Sequence, residues 1–227
     1  MMINNFSAIV ISLIVGICAT LLAVLPAVYF AWILARKKFP GRSLINILIF
    51  FPMVSPPVVT GYLLLKILGR NSFFGNILQT FGITIPFSIL GAIMASAVVG
   101  FPLLVMFIRS TFAGIDPQLE KYALTAGYTP FQAFMKVTLP LSYPGIIAGA
   151  VVCLARSLGE FGATIVLAGN MEGQTRTIPM AIYSLLDSPT GESQANQLLL
   201  ASIIISFIAL IAYEFFTRSF WKRIEWK

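Results

Sequence analysis

Five long apolar runs govern what this chain can become; they lie at about 6–35, 44–68, 87–112, 143–168 and 198–216. Each exceeds the roughly 18 residues at which an apolar stretch is long enough to cross a bilayer as a helix. At about 1.5 Å per residue, each reaches about 30 Å or more, the thickness of the hydrocarbon core, with room for tilt. Composition agrees: 58% of residues are hydrophobic and 10% are charged, whereas soluble domains carry about 25% charged residues. The expected fold class is therefore all-α integral membrane, with five transmembrane helices in one domain over 6–217.

The first run has no positive charge before it and exceeds the roughly 7–15 residues of a signal-peptide core. It is expected to be a retained span, with a kink at Pro26 that neighbouring helices can accommodate. Although the net charge is +7, the basic residues sit in short segments between apolar runs, without the aromatic interleaving of a nucleic-acid surface. No nucleic-acid partner is expected; the surrounding partner is membrane lipid. Cys18 and Cys153 lie inside apolar runs with no spacing motif between them, so both read as small buried hydrophobes. With no histidine and no acid cluster, no metal site is expected.

The basic residues also orient the chain. Eleven fall on one side: Arg36, Lys37, Lys38 and Arg42, then Arg109, Lys121 and Lys136, then Arg218, Lys222, Arg223 and Lys227. Three, Lys66, Arg70 and Arg176, fall on the other. The richer side should face the cytoplasm, which puts the N-terminus in the periplasm and the C-terminus in the cytoplasm. Trp32, Trp221 and Trp226 fall near the same cytoplasmic boundary, where such rings favour the interface.

The second run contains Pro52, Pro56 and Pro57, each lacking an N–H for the helical ladder. Two readings fit. One is a broken span lining a pathway, since broken backbone at membrane depth survives only where protein or water meets the freed groups. The other is a short interfacial turn before a straight helix.

The cytoplasmic segment 114–140 is heavily punctuated. Asp116-Pro117 reads as an N-cap and first helical residue, and Glu120 lies in the first turn, where the helix dipole favours a carboxylate. Gly127 reads as a helix stop, and Thr129-Pro130 as a restart. A short second helix, carrying Phe131, Phe134 and Met135, is expected to end at Pro140. Two short helices about a glycine hinge suit either an ordinary connection or a docking element for a cytosolic partner.

Glu120-Lys121-Tyr122-Ala123-Leu124-Thr125-Ala126-Gly127, with Leu139-Pro140 beyond, resembles the "EAA" loop of ABC importer permeases; Tyr122 stands where a small residue is usual. The resemblance implies a coupling helix seated in a groove of an ATP-binding subunit, with Glu120, Ala123, Gly127, Thr129, Phe131, Phe134 and Pro140 as coupling residues. Arg156-Ser157-Leu158-Gly159-Glu160-Phe161-Gly162-Ala163-Thr164 is similar to a run in molybdate permeases. So are Phe39-Pro40-Gly41, Pro56-Pro57-Val58-Val59 with Gly61-Tyr62, Thr175-Arg176-Thr177-Ile178-Pro179 and Gly191-Glu192-Ser193. Sulfate permeases share a version of the span-four run; the Thr-Arg-Thr-Ile-Pro element favours molybdate. The resemblance implies the MetI-like type I importer permease fold, a homodimer in the cytoplasmic membrane of a prokaryote, two copies of a cytoplasmic ATPase subunit, and a periplasmic or lipid-anchored molybdate-binding protein. It also implies a pathway or gate that includes Pro56, Pro57, Arg156, Ser157, Gly159, Glu160 and Thr164.

Apart from any resemblance, Arg156 and Glu160 are charges near the middle of a span, four residues apart and so on one helix face. A central charge costs about 2.5–3.5 kcal/mol on insertion scales, so both should face protein or water. The two are expected to interact; because arginine before glutamate is the weaker helical order, partners on another span or a second subunit also fit. Either Arg156 assists passage of an oxyanion, or the two form a structural pair. Gly159, Gly162 and Ser157 suit close helix approach.

The chain contains no G-x-x-x-x-G-K-[ST] phosphate loop. It is therefore expected to bind no cofactor and to be no enzyme; Mg-ATP would sit on the partner ATPase. Outer segments 69–86 and 169–197 are too short to enclose a ligand but can dock a delivery protein, and a short helix is expected from Ile178 to Leu186. The rival class, an ion-coupled transporter, needs intramembrane coupling groups. Glu160 is the only acid well inside a run, Glu214 lying near the end of the fifth.

Overall fold

The computed structural model describes residues 2–189 and 191–224, and the side chains of 5–189 and 191–216. All regular secondary structure among the described residues is helical, with no strand. In order they are α1 (Met2–Arg36), α2 (Arg42–Val54), α3 (Pro57–Leu68), α4 (Phe73–Thr80), α5 (Ile89–Gly114), α6 (Pro117–Thr125), α7 (Pro130–Ala133), a π-turn (Phe134–Thr138), α8 (Leu139–Leu158), α9 (Gly162–Ala168), α10 (Ile178–Leu186) and α11 (Glu192–Ile224). Among them, Asn5–Arg36, Ile89–Gly114, Pro130–Leu158 and Glu192–Phe216 are long and apolar enough to cross a membrane. A fifth span results if α2 and α3, which meet at a 119° bend, count as one.

Helix α5 is the hub, packing against α1, α2, α8 and α9. Its partner face on α1 is a row at four-residue spacing: Val15, Ala19, Ala23, Ala27 and Ala31, all buried. Lipid tails are as apolar as side chains, so helices in a bilayer gain little from burying hydrophobes and associate through close contact of small residues. Ala92, Ala95 and Ser96 on α5 are buried in the same way. Toward the Arg36 end the row widens into a core of Leu34, Leu104, Ile108, Phe112, Ile146 and Cys153. Arg109 donates to Asn46 at 2.9 Å and Arg36 to the Ile115 carbonyl at 3.0 Å, so the basic ends of α1, α2 and α5 lie together. Arg218, Lys222, Arg223, Lys227, Trp221 and Trp226, which entered the charge count, lie outside the residues whose side chains are described.

The prolines of the second run break it deeply. Chain direction changes at Ser55-Pro56, and neither α2 (13 residues) nor α3 (12 residues) is long enough to span alone. Pro26, by contrast, lies inside an unbroken α1.

The fourth run differs from expectation at both ends. Pro140 does not end the preceding helix: Pro130–Leu158 is one apolar rod. A proline in a regular helix crowds the carbonyl four residues back. The π-turn just before Pro140 widens the backbone there and shifts the hydrogen-bond register. At its far end the run is not continuous to 168, because the helix stops at Leu158 and restarts at Gly162. The helix of the fifth run starts at Glu192, earlier than its apolar stretch.

Candidate functional site

The break in the second run meets the break that ends α8. Helices α3 and α9 pack together, and both begin at the contact, with Pro57 and Gly162 as first residues. A Cβ on Gly162 would stand 2.8 Å from Pro57 Cβ, so glycine alone lets the two helix starts touch. Pro56 precedes α3 as its cap residue and is exposed. The nearby Ser55 and Thr60 hydroxyls share a hydrogen bond of 2.7 Å across the turn.

Glu160 sits in the break between α8 and α9, with 2% of its surface exposed. One carboxylate oxygen pairs with Arg156 Nη1 at 2.7 Å. The other accepts the Ala163 N–H at 2.8 Å, in the first turn of α9, where the helix dipole favours an anion. The two charges are thus each other's partners, as their shared helix face predicts, and the chain itself supplies the pair without a partner from another span. Once α8 ends, Glu160 is freed from helical geometry, and the unfavourable order of the pair no longer applies. The Arg156 side chain is 33% exposed, so a buried anion holds a cation that still reaches the surface of the chain.

The other expected residues of this region divide. Ser157 is buried, and its hydroxyl donates to the Ser96 carbonyl at 3.4 Å, tying α8 to α5. Thr164 is fully buried, and its hydroxyl has no hydrogen-bond partner among the described residues. Gly159 marks the end of α8 and approaches no other helix. Gly61 of α3 and Ala163 of α9, which complete the crossing, were not expected.

The segment between α5 and α8 forms a second site. Asp116 caps α6 by accepting the Gln118 N–H at 2.9 Å. Gly127 has φ +90°, a conformation costly for any residue with a Cβ. Thr129 and Gln132 form a reciprocal capping box at the start of α7, with bonds of 3.3 and 2.9 Å.

The expected coupling residues do not share one surface. Phe131, Gly127, Thr129 and Pro140 are exposed. Ala123 is buried, and Phe134 is half-buried against Trp32 and Phe112, with ring centroids 5.4 and 6.0 Å apart. Glu120 turns inward to Thr138 and Arg36. The outward face is instead Tyr122, Tyr128, Phe131 and Met135. Helical spacing carries this signal within α6: Glu120 and Ala123 fall at i and i+3, on one face, with Tyr122 off it, while Gly127 lies past the helix end and is exposed.

The family model described as "Binding-protein-dependent transport system inner membrane component" matches residues 27–224. The chain is 48% identical over 221 residues to the molybdenum transport system permease protein ModB of Haemophilus influenzae, covering 97% of this chain and 96% of that one. It is 46% identical to ModB of Escherichia coli, covering 94% of each. The sulfate transport system permease protein CysT of Salmonella typhimurium is 37% identical, over 78% of this chain and 65% of that one. Among solved structures, a bacterial ABC transporter involved in import of the acidic polysaccharide alginate aligns with TM-score 0.65 at 18% identity, covering 96% of this chain and 79% of that chain, a likeness of fold.

Proposed function

The chain belongs to the family of binding-protein-dependent transport system inner membrane components, and we propose that it is the membrane-spanning permease subunit of an ATP-driven importer that carries molybdate into the cell. The observation that carries this reading is identity of 46–48% along nearly the whole length of two molybdenum permeases. Over such a stretch the spans, the breaks and the punctuated segment 114–140 are all included.

The chain is a multi-pass membrane protein and a transport subunit. Its finer workings follow from the proposal. It sits in the cytoplasmic membrane of a prokaryote, with the N-terminus periplasmic and the segment 114–140 cytoplasmic. Two copies surround the pathway. Each offers the face around Phe131 to one of two ATPase subunits, which hold Mg-ATP; this chain binds no cofactor. A periplasmic or lipid-anchored binding protein delivers molybdate to the outer side.

Within the membrane, Arg156, Glu160, Pro56 and Pro57 form the wall or gate of the pathway, with Ser157, Gly159 and Thr164 setting the helix break behind it. The support is electrostatic. The Arg156 side chain remains one-third exposed, while Glu160 pairs with its charge at 2.7 Å. A dianion would be attracted without being held tightly, as conduction requires. The alternative role for the pair is to pin the break.

A sulfate permease is the second reading, favoured by 37% identity to CysT. Sulfate, molybdate and tungstate are all tetrahedral dianions, so discrimination rests with the delivery protein. Reconstitution in liposomes with the ATPase subunit and the binding protein tests the class. Molybdate accumulation should require both ATP and the binding protein. Accumulation driven by an ion gradient without ATP would replace this reading with the ion-coupled one.

A further inference from the structure

Arg36, the last residue of α1, makes contacts that the transport reading does not use. Its Nη2 donates to the Ile115 carbonyl at 3.0 Å. Its Nε stands 3.6 Å from Glu120 Oε1. The same carboxylate oxygen accepts a hydrogen bond from the Thr138 hydroxyl, inside the π-turn that leads into α8. One turn back on α1, Trp32 packs on Phe134, which in turn packs on Phe112 of α5. The end of α1, the linker after α5, helix α6 and the start of α8 therefore converge on Glu120.

Covalent connection alone would leave α6 free to swing. On one side it hangs from the linker at Ile115 and Asp116. On the other it is joined to α7 through Gly127, which has positive φ and open space around its Cα. The Glu120 node, beside the buried Ala123, fixes the angle of α6 to the bundle. Arginine suits the task because its planar fork reaches two acceptors at once, the Ile115 carbonyl and the carboxylate; a lysine ammonium is a single point. The Nε is buried and makes no hydrogen bond at its present distance. An N–H···O bond closes at about 2.9 Å, so motion of α6 toward α1 would tighten the pair.

We propose that Arg36 is a positioning residue for energy coupling: through Glu120 it ties the coupling helix α6 to the first span, so that displacement of α6 moves α1 together with α8. The proposal rests on the permease reading and gives Glu120 an internal role, where the sequence resemblance placed it among ATPase contacts.

The test uses the full transporter with its ATPase subunit and binding protein. In the Arg36→Gln variant the ATPase subunit should still co-purify and basal ATP hydrolysis should persist. Molybdate uptake should fall about tenfold or more, within the range of coupling energies between sites. Glu120→Gln, which removes the charge at the other end of the tie, should lose uptake to a similar extent with the ATPase subunit still bound, and the double variant should lose no more than either alone. Uptake by Arg36→Gln close to that of the unaltered protein would overturn the proposal. So would a double variant in which the two losses multiply. If Arg36→Gln does not assemble, Glu120→Gln decides alone: reduced uptake with the ATPase subunit still bound supports the tie, and uptake close to that of the unaltered protein overturns it. Absence of an ATPase partner or of molybdate uptake in the unaltered protein would instead sink the permease reading.

Discussion

A Cβ on Gly61 would stand 2.6 Å from the carbonyl oxygen of Ala163, so α3 and α9 meet backbone to backbone. The atom in the way belongs to the main chain and cannot rotate aside. Gly61→Ala should therefore force α3 and α9 apart, at a cost of about 1–3 kcal/mol, as overpacking does. The expected outcome is a lower melting temperature in detergent and reduced uptake. Unchanged thermal stability would mean the crossing is looser than described.

The Arg156–Glu160 pair predicts an asymmetry. Removing the arginine leaves a carboxylate that is 2% exposed with a single backbone N–H as partner. Breaking a buried pair in that way costs about 3–5 kcal/mol. Removing the carboxylate leaves an arginine whose side chain is one-third exposed. Arg156→Gln should thus lower thermal stability more than Glu160→Gln, and the reverse order would contradict this account of the pair.

A charge-retaining variant separates pathway from pin. Arg156→Lys keeps a cation at the same place but loses the fork. If the cation assists the anion, the lysine variant retains measurable uptake, while an assembled Arg156→Gln protein retains none. Normal uptake by the glutamine variant would leave the pair a structural role only.

The outward face of segment 114–140 should behave as an interface and its inward face as a core. Phe131 is 71% exposed, whereas the Phe134 ring packs on Trp32 and Phe112. Phe131→Ala should weaken binding of the ATPase subunit by about 30-fold, the scale of a hot-spot aromatic, with the permease still stable. Phe134→Ala should instead lower the permease's own stability by about 3 kcal/mol or more if the site does not collapse. Equal effects of the two on ATPase binding would show that the faces are wrongly assigned.

Local chemistry made much of this fold legible. Asp116-Pro117, Gly127 and Thr129-Pro130 act through their own backbone, so their caps and stop could be read in place. Pro56-Pro57 announced a break because proline removes donors wherever it stands. The break at Gly159–Phe161 contains no proline, and a glycine inside an apolar run is compatible with helix, so nothing local separated α8 from α9. Pro140 misled for the opposite reason: a π-turn can absorb a proline, and the sequence pattern does not announce one. The alanine row of α1 was present at four-residue spacing and could have marked the buried face. Contacts such as Gly61 with Ala163, or Arg36 with Glu120, join distant segments, and one sequence carries no record of which segments pair. The burial of Ala123 was within reach of a helical count, and would have turned Glu120 inward with it.

The central claim is tested most directly by uptake of labelled molybdate at low concentration, in cells lacking this protein and in cells given it back, with excess sulfate as competitor. The account predicts that uptake is restored and resists sulfate. Failure to restore uptake, or full competition by sulfate, would contradict molybdate as the substrate and assign the same fold to a different oxyanion.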